Sequence, residues 1–362
     1  MKILFIHPSV ELYGADKILL YLLDILKDSN DITVLLPKEG ILIEKIKNVS
    51  NNISIVINEH LPIVHSKIGI KGILKLPLDI SRISKIFKKN EFDIVYCNTL
   101  ATVGFLYVKW AKKRIIHVHE IIENSIINLG FSFLVRLKTT NVFCVSRHVK
   151  ERLRFSKNYK IILNGIPDIK NDEPITANSN KIRFVLPGRY MPKKGQWFLL
   201  ESLKRVKKEL IEQSEFFLYG SPPPNRMELE TELRNEIEKL DFKEHIHVSP
   251  FLSEINKIYT NADVVLVPSI MADPFPTTVL EALMFSKPVI TTNNGGASEI
   301  VDESFGLLVK PNDYDALAKS IEFYIENKDT LQDFGKKARD KFINNFTIDC
   351  FKERFLREFN SI

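Results

Sequence analysis

Short β-branched runs alternate with longer stretches of helical spacing along most of this chain. That alternation restricts it to βαβ units built on parallel sheets. Two series are separable. The first runs through KILFI (Lys2–Ile6), ITVLL (Ile32–Leu36), ISIVI (Ile53–Ile57), DIVYC (Asp93–Cys97), RIIHV (Arg114–Val118), NVFCV (Asn141–Val145) and KIIL (Lys160–Leu163). The second runs through IRFVL (Ile182–Leu186), EFFLY (Glu215–Tyr219), HIHV (His245–Val248), DVVLV (Asp263–Val267), PVITT (Pro288–Thr292) and GLLV (Gly306–Val309). Between them, residues 166–181 are rich in Pro, Asn and Asp and lack periodicity, as a linker does. The spacing predicts further helices over 313–327, 330–344 and 349–359. The 362 residues thus divide into a domain over 1–172, a second over 173–345 and a terminal helix over 346–362. In doubly wound sheets a ligand sits at the carboxyl ends of the strands, so the chemistry is expected in the loops there.

With 44% hydrophobic and 27% charged residues and no low-complexity tract, collagen-like, disordered and coiled-coil readings fail. The longest apolar runs stop far short of the roughly 18 residues that span a bilayer. MKILFI is ended by His7 and Pro8 before a signal-peptide core is complete, so it reads as a first buried strand. Cys97, Cys144 and Cys350 show no CxxC pair, which indicates neither a disulfide framework nor a structural metal; a cytoplasmic location is expected. Residues 1–170 carry 26 Lys/Arg against 15 Asp/Glu, a net of +11. The remaining 25 against 30 give −5, and the two sum to the overall +6.

Three stretches carry residues suited to chemistry. In VVLVPSIMADPFPTTVLEAL a strand leads into a loop, Pro276 is placed to open a helix as its first residue, and free N–H groups around Thr277 and Thr278 make an anion site. Asp273 precedes that helix and Glu281 lies within it, eight positions on. In FVLPGRYMPKKGQWFLL a strand ends at Gly188, followed by Arg189, Lys193, Lys194 and Gly195; Arg189 and Lys194 are suited to clamp a diphosphate. In HPSVELYGADK, Gly14 occupies the first strand-to-helix loop, where a missing Cβ lets backbone approach a ligand closely.

Together these stretches resemble family 4 of the retaining nucleotide-sugar glycosyltransferases, nearly over the whole chain. The resemblance implies an α/β GT-B fold: two Rossmann-like doubly wound domains facing across a cleft, with the C-terminal helix packing back toward the N-terminal domain. It assigns the acceptor to 1–172 and the nucleotide-sugar to 173–345. PGRYMPKKG is similar to the family's Gly-Arg-x4-Lys-Gly loop, which implies that Arg189 and Lys194 hold the donor diphosphate. DPFPTTVLEAL is similar to its Glu-x7-Glu motif, which implies a contact from Asp273 to the transferred sugar and from Glu281 to the ribose hydroxyls. YGADK is similar to its Gly-Gly-Ala-Glu loop, and HVHEI places His119 where the family often has a histidine at the edge of the sugar site. The implied catalytic residues are His119, Arg189, Lys194 and Asp273. The implied donor-binding residues are Gly14, Arg189, Lys194, Asp273, Phe275, Pro276, Thr277, Thr278 and Glu281. Two departures stand out: Asp273 replaces the family's first Glu, and Pro276 stands where Gly is usual.

The expected activity is retaining hexosyl transfer from a nucleoside-diphosphate-sugar, with UDP-sugar the first choice. The acceptor is a saccharide or lipid-linked saccharide in surface polysaccharide assembly. No cofactor and no divalent metal are expected, because Arg189, Lys194 and the helix amides neutralise the diphosphate. A sugar-nucleotide epimerase of the same architecture and an inactive membrane-associated binding protein are the rival readings. His117/His119 and His245/His247 alternate along strand ends without further ligands at zinc spacing. The acids of Asp313-Tyr314-Asp315 read as a helix cap. No phosphate loop, GxGxxG or Gly-x-Ser-x-Gly elbow appears. Residues 66–90 hold seven basic residues (Lys67, Lys71, Lys75, Arg82, Lys85, Lys88, Lys89) against Asp79, interleaved with apolar positions. That segment fits either an anionic membrane surface, placing the protein on the inner face of the plasma membrane, or a pair of surface helices. Nucleic acid is not expected, since the aromatic interleaving of single-strand binders is missing.

Overall fold

All thirteen β-branched runs form strands, and they divide between two parallel sheets. In the computed structural model the described residues are 1–12, 14–64, 80–81, 83–138, 141–153, 158–169, 181–252 and 254–362. Most of the basic segment 66–90 and residues 170–180 of the linker, with the boundary at 172, lie outside the described residues.

The first unit comprises Met1–Asn164 and Phe351–Ile362. Its strands are β1 (Lys2–Ile6), β2 (Asp31–Leu36), β3 (Ser54–Ile57), β4 (Phe92–Asn98), β5 (Ala111–Val118), β6 (Asn141–Cys144) and β7 (Tyr159–Ile161). They lie in the order β3-β2-β1-β4-β5-β6-β7. Central strands such as β1 and β4 are near-continuous apolar runs because helices cover both faces of such a sheet. The described helices are α1 (Gly14–Leu26), α2 (Ile41–Val49), α3 (Ser125–Lys138) and α4 (Arg147–Arg152). Ser146 caps α4 by accepting a hydrogen bond from the Val149 N–H at 3.2 Å.

The second unit, Gly165–Cys350, holds β8 (Ile182–Pro187), β9 (Ser214–Tyr219), β10 (Ile246–Ser249), β11 (Val264–Val267), β12 (Val289–Thr292) and β13 (Gly306–Val309). Their order is β10-β9-β8-β11-β12-β13, the doubly wound 3-2-1-4-5-6 arrangement. Its helices are α5 (Gln196–Leu203), α6 (Lys208–Ile211), α7 (Glu228–Glu238), α8 (Ile255–Tyr259), α9 (Thr277–Met284), α10 (Tyr314–Glu326) and α11 (Leu331–Asn345). Phe184 stacks on Phe216 at 5.1 Å within an aliphatic core that α5 and α10 close. Asp313 caps α10, its carboxylate accepting from the Ala316 N–H at 3.0 Å.

The chain then re-enters the first unit through α12 (Ile348–Asn360). Phe351, Phe355 and Phe359 recur every four residues and are buried as one stripe. Phe355 meets Phe143 at 6.2 Å and Tyr96 at 6.4 Å, while Arg354 donates to the Leu163 carbonyl at 2.7 Å. Phe355→Ala is expected to destabilise the first unit by about 3–5 kcal/mol. Urea unfolding followed by fluorescence of the buried Trp110 measures this, and a loss below about 1 kcal/mol would show that α12 adds nothing to the core.

Candidate active site

The strand order reverses beside β8, so the loops after β8 and β11 leave the sheet in opposite directions and bracket a crevice. After β8 the chain passes through Gly188 and Arg189. Tyr190 is wholly buried, and its hydroxyl donates to the carbonyls of Leu218, at 3.0 Å, and Ser249. Gln196 donates to the Arg189 carbonyl at 2.9 Å, and Ile270 N–H donates to the Lys193 carbonyl at 3.0 Å. Gly195 has φ +89°, and a Cβ there would lie 2.0 Å from the Pro268 carbonyl oxygen, so this turn admits only glycine. A loop pinned on both sides in this way presents Lys194 in one place. Its Nζ sits 3.1 Å from Asp273 Oδ2, both side chains half-buried.

Asp273 is fixed through its backbone. Its carbonyl accepts from the Gly296 N–H at 2.8 Å, and it bridges Gly295. Gly295 has φ +81°, and a Cβ there would meet the Asp273 carbonyl oxygen at 2.1 Å. The glycine pair thus lets one loop lie against the other. Helix α9 begins at Thr277, one residue later than the sequence reading, and Pro276 is its N-cap. No side chain caps this end, so the Thr277 and Thr278 amides have no intrahelical partner, and the helix dipole adds to their positive potential. Glu281, within α9, accepts a 2.7 Å hydrogen bond from the hydroxyl of buried Tyr259; burial, with this carboxylate beside it, holds that phenol well above its ordinary range.

The first unit builds a different kind of site at its own reversal, beside β1 and β4. His7, directly after β1, and Asp16, in the first turn of α1, are both buried and lie 2.6 Å apart, Nε2 to Oδ1. Asn98, the last residue of β4, donates through Nδ2 to His7 Nδ1 at 2.9 Å and to the Ala15 carbonyl at 3.2 Å. Its Oδ1 is 2.9 Å from His119 Nε2. With both amide hydrogens committed, Asn98 Oδ1 must accept, so His119 carries its proton on Nε2 and presents Nδ1 as a lone pair. The same logic gives His7 a proton on Nε2, donated to Asp16. Burial and its histidine neighbours hold His119 well below the usual histidine range. Burial alone takes His117, whose ring lies 4.1 Å from that of His119, down to about 3. Tyr96 donates to His117 Nδ1 at 2.9 Å. Thr99, next in the chain, has φ 95° and ψ 155°, a region nearly confined to glycine, and is held by its N–H to the His117 carbonyl at 2.8 Å. Gly14 opens α1 at this same end of the sheet, and a Cβ there would meet nothing within 4 Å.

The sequence-derived residues thus fall into two sets. Arg189, Lys194, Asp273, Phe275–Thr278 and Glu281 belong to the carboxyl-end loops and helix of the second sheet, with Lys194 and Asp273 in contact; Gly14 and His119 belong to the first. Sequence reasoning missed His7, Asp16, Asn98, Gln196, Tyr259 and the role of Gly295. A polar residue that ends or follows an apolar strand, as His7 and Asn98 do, was the available signal. Among the described residues no group of three or more His, Cys, Asp or Glu is arranged to hold a metal ion.

The family model described as Glycosyl transferases group 1 matches residues 151–341, just over half of the chain. The chain belongs to this family. Its fold superposes on Anabaena Alr3699/HepE, crystallised in complex with UDP, with a TM-score of 0.84, 20% identity and 100% of both chains covered. This glycosyltransferase-family chain therefore has the GT-B fold, with Rossmann-like sheets of seven and six strands. It is 33% identical over 179 residues to the trehalose synthase of Thermococcus litoralis, covering 48% of this chain and 42% of that one. It is also 26% identical over 208 residues to the Campylobacter jejuni GalNAc-alpha-(1->4)-GalNAc-alpha-(1->3)-diNAcBac-PP-undecaprenol alpha-1,4-N-acetyl-D-galactosaminyltransferase, covering 56% of this chain and 55% of that one. The chain spans about half the length of these curated relatives.

The buried histidines make stability depend on pH. The unfolded chain protonates His117 near 6.5, whereas the folded state holds it neutral down to about 3. Its contribution is therefore complete above pH 6.5 and is lost as the pH falls toward 3, at up to about 1.4 kcal/mol per pH unit. His117→Gln should flatten the stability slope between about pH 6 and about pH 4 by nearly that amount. Urea midpoints across this range measure it, and an unchanged slope would assign the dependence to another group.

Proposed function

We propose that this chain is a retaining, metal-independent glycosyltransferase that moves a sugar from a UDP-sugar to a hydroxyl of a lipid-linked saccharide in surface polysaccharide assembly. The observation that supports the reading is that Arg189, Lys194, the uncapped amides of α9 and the carboxylates Asp273 and Glu281 all follow the carboxyl ends of β8 and β11, with Lys194 Nζ 3.1 Å from Asp273 Oδ2. In it Arg189, Lys194 and the Thr277 and Thr278 amides bind the donor diphosphate and stabilise the charge that grows on it as the glycosidic bond breaks. These groups supply the neutralisation a divalent cation would otherwise provide.

Lys194 and Asp273 then act as a pair. A diphosphate arriving at Lys194 competes with Asp273, and the released carboxylate turns to a hydroxyl of the transferred sugar. Glu281, steadied by Tyr259, takes the ribose hydroxyls. His119, neutral and with Nδ1 as its acceptor, receives a hydrogen bond from a sugar hydroxyl, and Gly14 leaves room for close backbone approach. Retention follows from same-face attack, with the departing phosphate taking the acceptor's proton.

The choice of UDP is supported by the fold relative crystallised with that nucleotide. The lipid-linked acceptor is supported by the name of the Campylobacter relative. The first unit takes the acceptor, on the cytoplasmic face of the membrane. Among the described residues no helix is long and apolar enough to cross a membrane.

Arg189→Ala and Lys194→Ala are expected to lower turnover by about 10²-fold or more. EDTA should leave transfer intact, and NMR of the product should show the donor's anomeric configuration retained. Near-normal turnover in both variants would remove their role. Loss of activity with EDTA or an inverted product would overturn the mechanism, and conversion of the donor without any acceptor would replace it with epimerisation.

A further inference from the structure

Helix α3 buries Asn128, Phe131, Ser132 and Val135 against the first unit. At about 100° per residue, the opposite side carries Ile126, Leu129, Phe133 and Leu137 within about 80° of arc. These four are 83, 48, 56 and 51% exposed. Gly130 lies among them, and a Cβ on it would meet nothing within 4 Å. Asn124 fixes the start of the helix, its side chain accepting from the N–H groups of Ile126 and Ile127 at 3.1 Å. A surface helix in water is ordinarily polar on its outer side. This one presents four large apolar side chains on its outer side, and a contiguous exposed apolar stripe marks an interaction site.

Charge selects the occupant. Arg136 flanks the stripe and Lys138 ends the helix, both exposed. Asn128 donates to the Arg152 carbonyl at 2.7 Å, which ties α4 alongside and brings exposed Lys150 and Arg152 into the rim. Glu123 and Glu151 are the nearby acids. Pairing with a second copy would set two positive rims against each other. A helix of 14 residues is about 21 Å long, too short to cross a bilayer but suited to lie in its interface.

We propose that the outer face of α3 docks on an anionic lipid bilayer, with Ile126, Leu129, Phe133 and Leu137 among the acyl chains and Arg136 and Lys138 at the headgroups. None of these residues belongs to the basic segment 66–90. The surface would bring the proposed lipid-linked acceptor within reach, yet it depends on none of the donor chemistry.

The full-length chain is mixed with phosphatidylcholine vesicles with and without phosphatidylglycerol. Phe133→Trp should shift its emission to the blue and be quenched by brominated acyl chains only when phosphatidylglycerol is present. The triple replacement Ile126→Ser, Phe133→Ser and Leu137→Ser should lower partitioning by about tenfold or more, with an unchanged melting temperature and unchanged transfer to a water-soluble acceptor. Arg136→Glu should weaken binding, as should added salt. The proposal is overturned if Trp at 133 is not quenched, or if the triple variant binds vesicles normally while Lys67→Glu, Lys71→Glu and Lys75→Glu abolish binding. A solution dimer that the triple variant dissociates overturns it equally, in favour of a second copy. Failure of transfer activity in every variant and in the parent chain would count against the proposed reaction and not against the docking surface.

Discussion

Parallel strands joined by right-handed crossovers can extend a sheet in either direction from its first strand, and where the direction reverses, neighbouring loops leave on opposite faces. Everything chemically distinctive in either unit depends on that divergence. Beside β1 and β4 it opens space for His7, Asn98 and His119; beside β8 and β11 it opens space for Lys194, Asp273 and the start of α9. The apolar strands beneath are covered on both faces, so the polar groups above them stand on rigid supports.

The two crevices use their polar groups in opposite ways. In the first unit the groups form a buried hydrogen-bond chain from Asp16 through His7 and Asn98 to His119, in which each tautomer is fixed by the next partner and burial holds His119 well below the usual histidine range. In the second, the Lys194 and Asp273 charges are half-buried and paired with each other, so they can change partners. Bulk charge runs the other way: the half with net +11 holds the buried hydrogen-bond network, while the half with net −5 holds the basic loop and the helix amides. In the proposed reaction, binding of the donor's diphosphate by the second unit would therefore depend on local geometry and not on net charge.

The strands were legible because a parallel sheet buried on both faces demands short, largely apolar runs, most of them rich in β-branched residues. Helix ends were legible to within a residue; Pro276 took the N-cap instead of the first helical position because its ψ of 110° is extended, not helical. The buried network was not legible. His7 and Asn98 are separated by 91 positions, and neither has a local periodicity that distinguishes a network member from a strand terminus. The glycines were only partly legible: the sequence placed Gly195 in a loop, but the need for glycine at 195 and 295 comes from the neighbouring carbonyls of Pro268 and Asp273. The outer stripe of α3 was hidden for the converse reason, since SIINLGFSFLVRLK satisfies a buried face and leaves no sign that a second apolar face points outward.

The two departures from the family motif act on one loop and in one direction. Proline at 276 fixes φ at −70° and withdraws an amide, leaving Thr277 and Thr278 as the uncapped donors of α9 while stiffening the approach to them. Aspartate at 273 has a shorter reach than glutamate, but its backbone is clamped by Gly295 and Gly296, so the carboxylate cannot recover that distance by moving its main chain. What it does reach is Lys194. The loop therefore offers fewer backbone donors and less freedom than a glycine-rich one, and its carboxylate is committed to a neighbouring lysine. The Thr277 and Thr278 amides at the start of α9 stay uncapped despite both changes. Under the proposed reaction, discrimination among sugars and stabilisation of the leaving group would therefore be separable within this site.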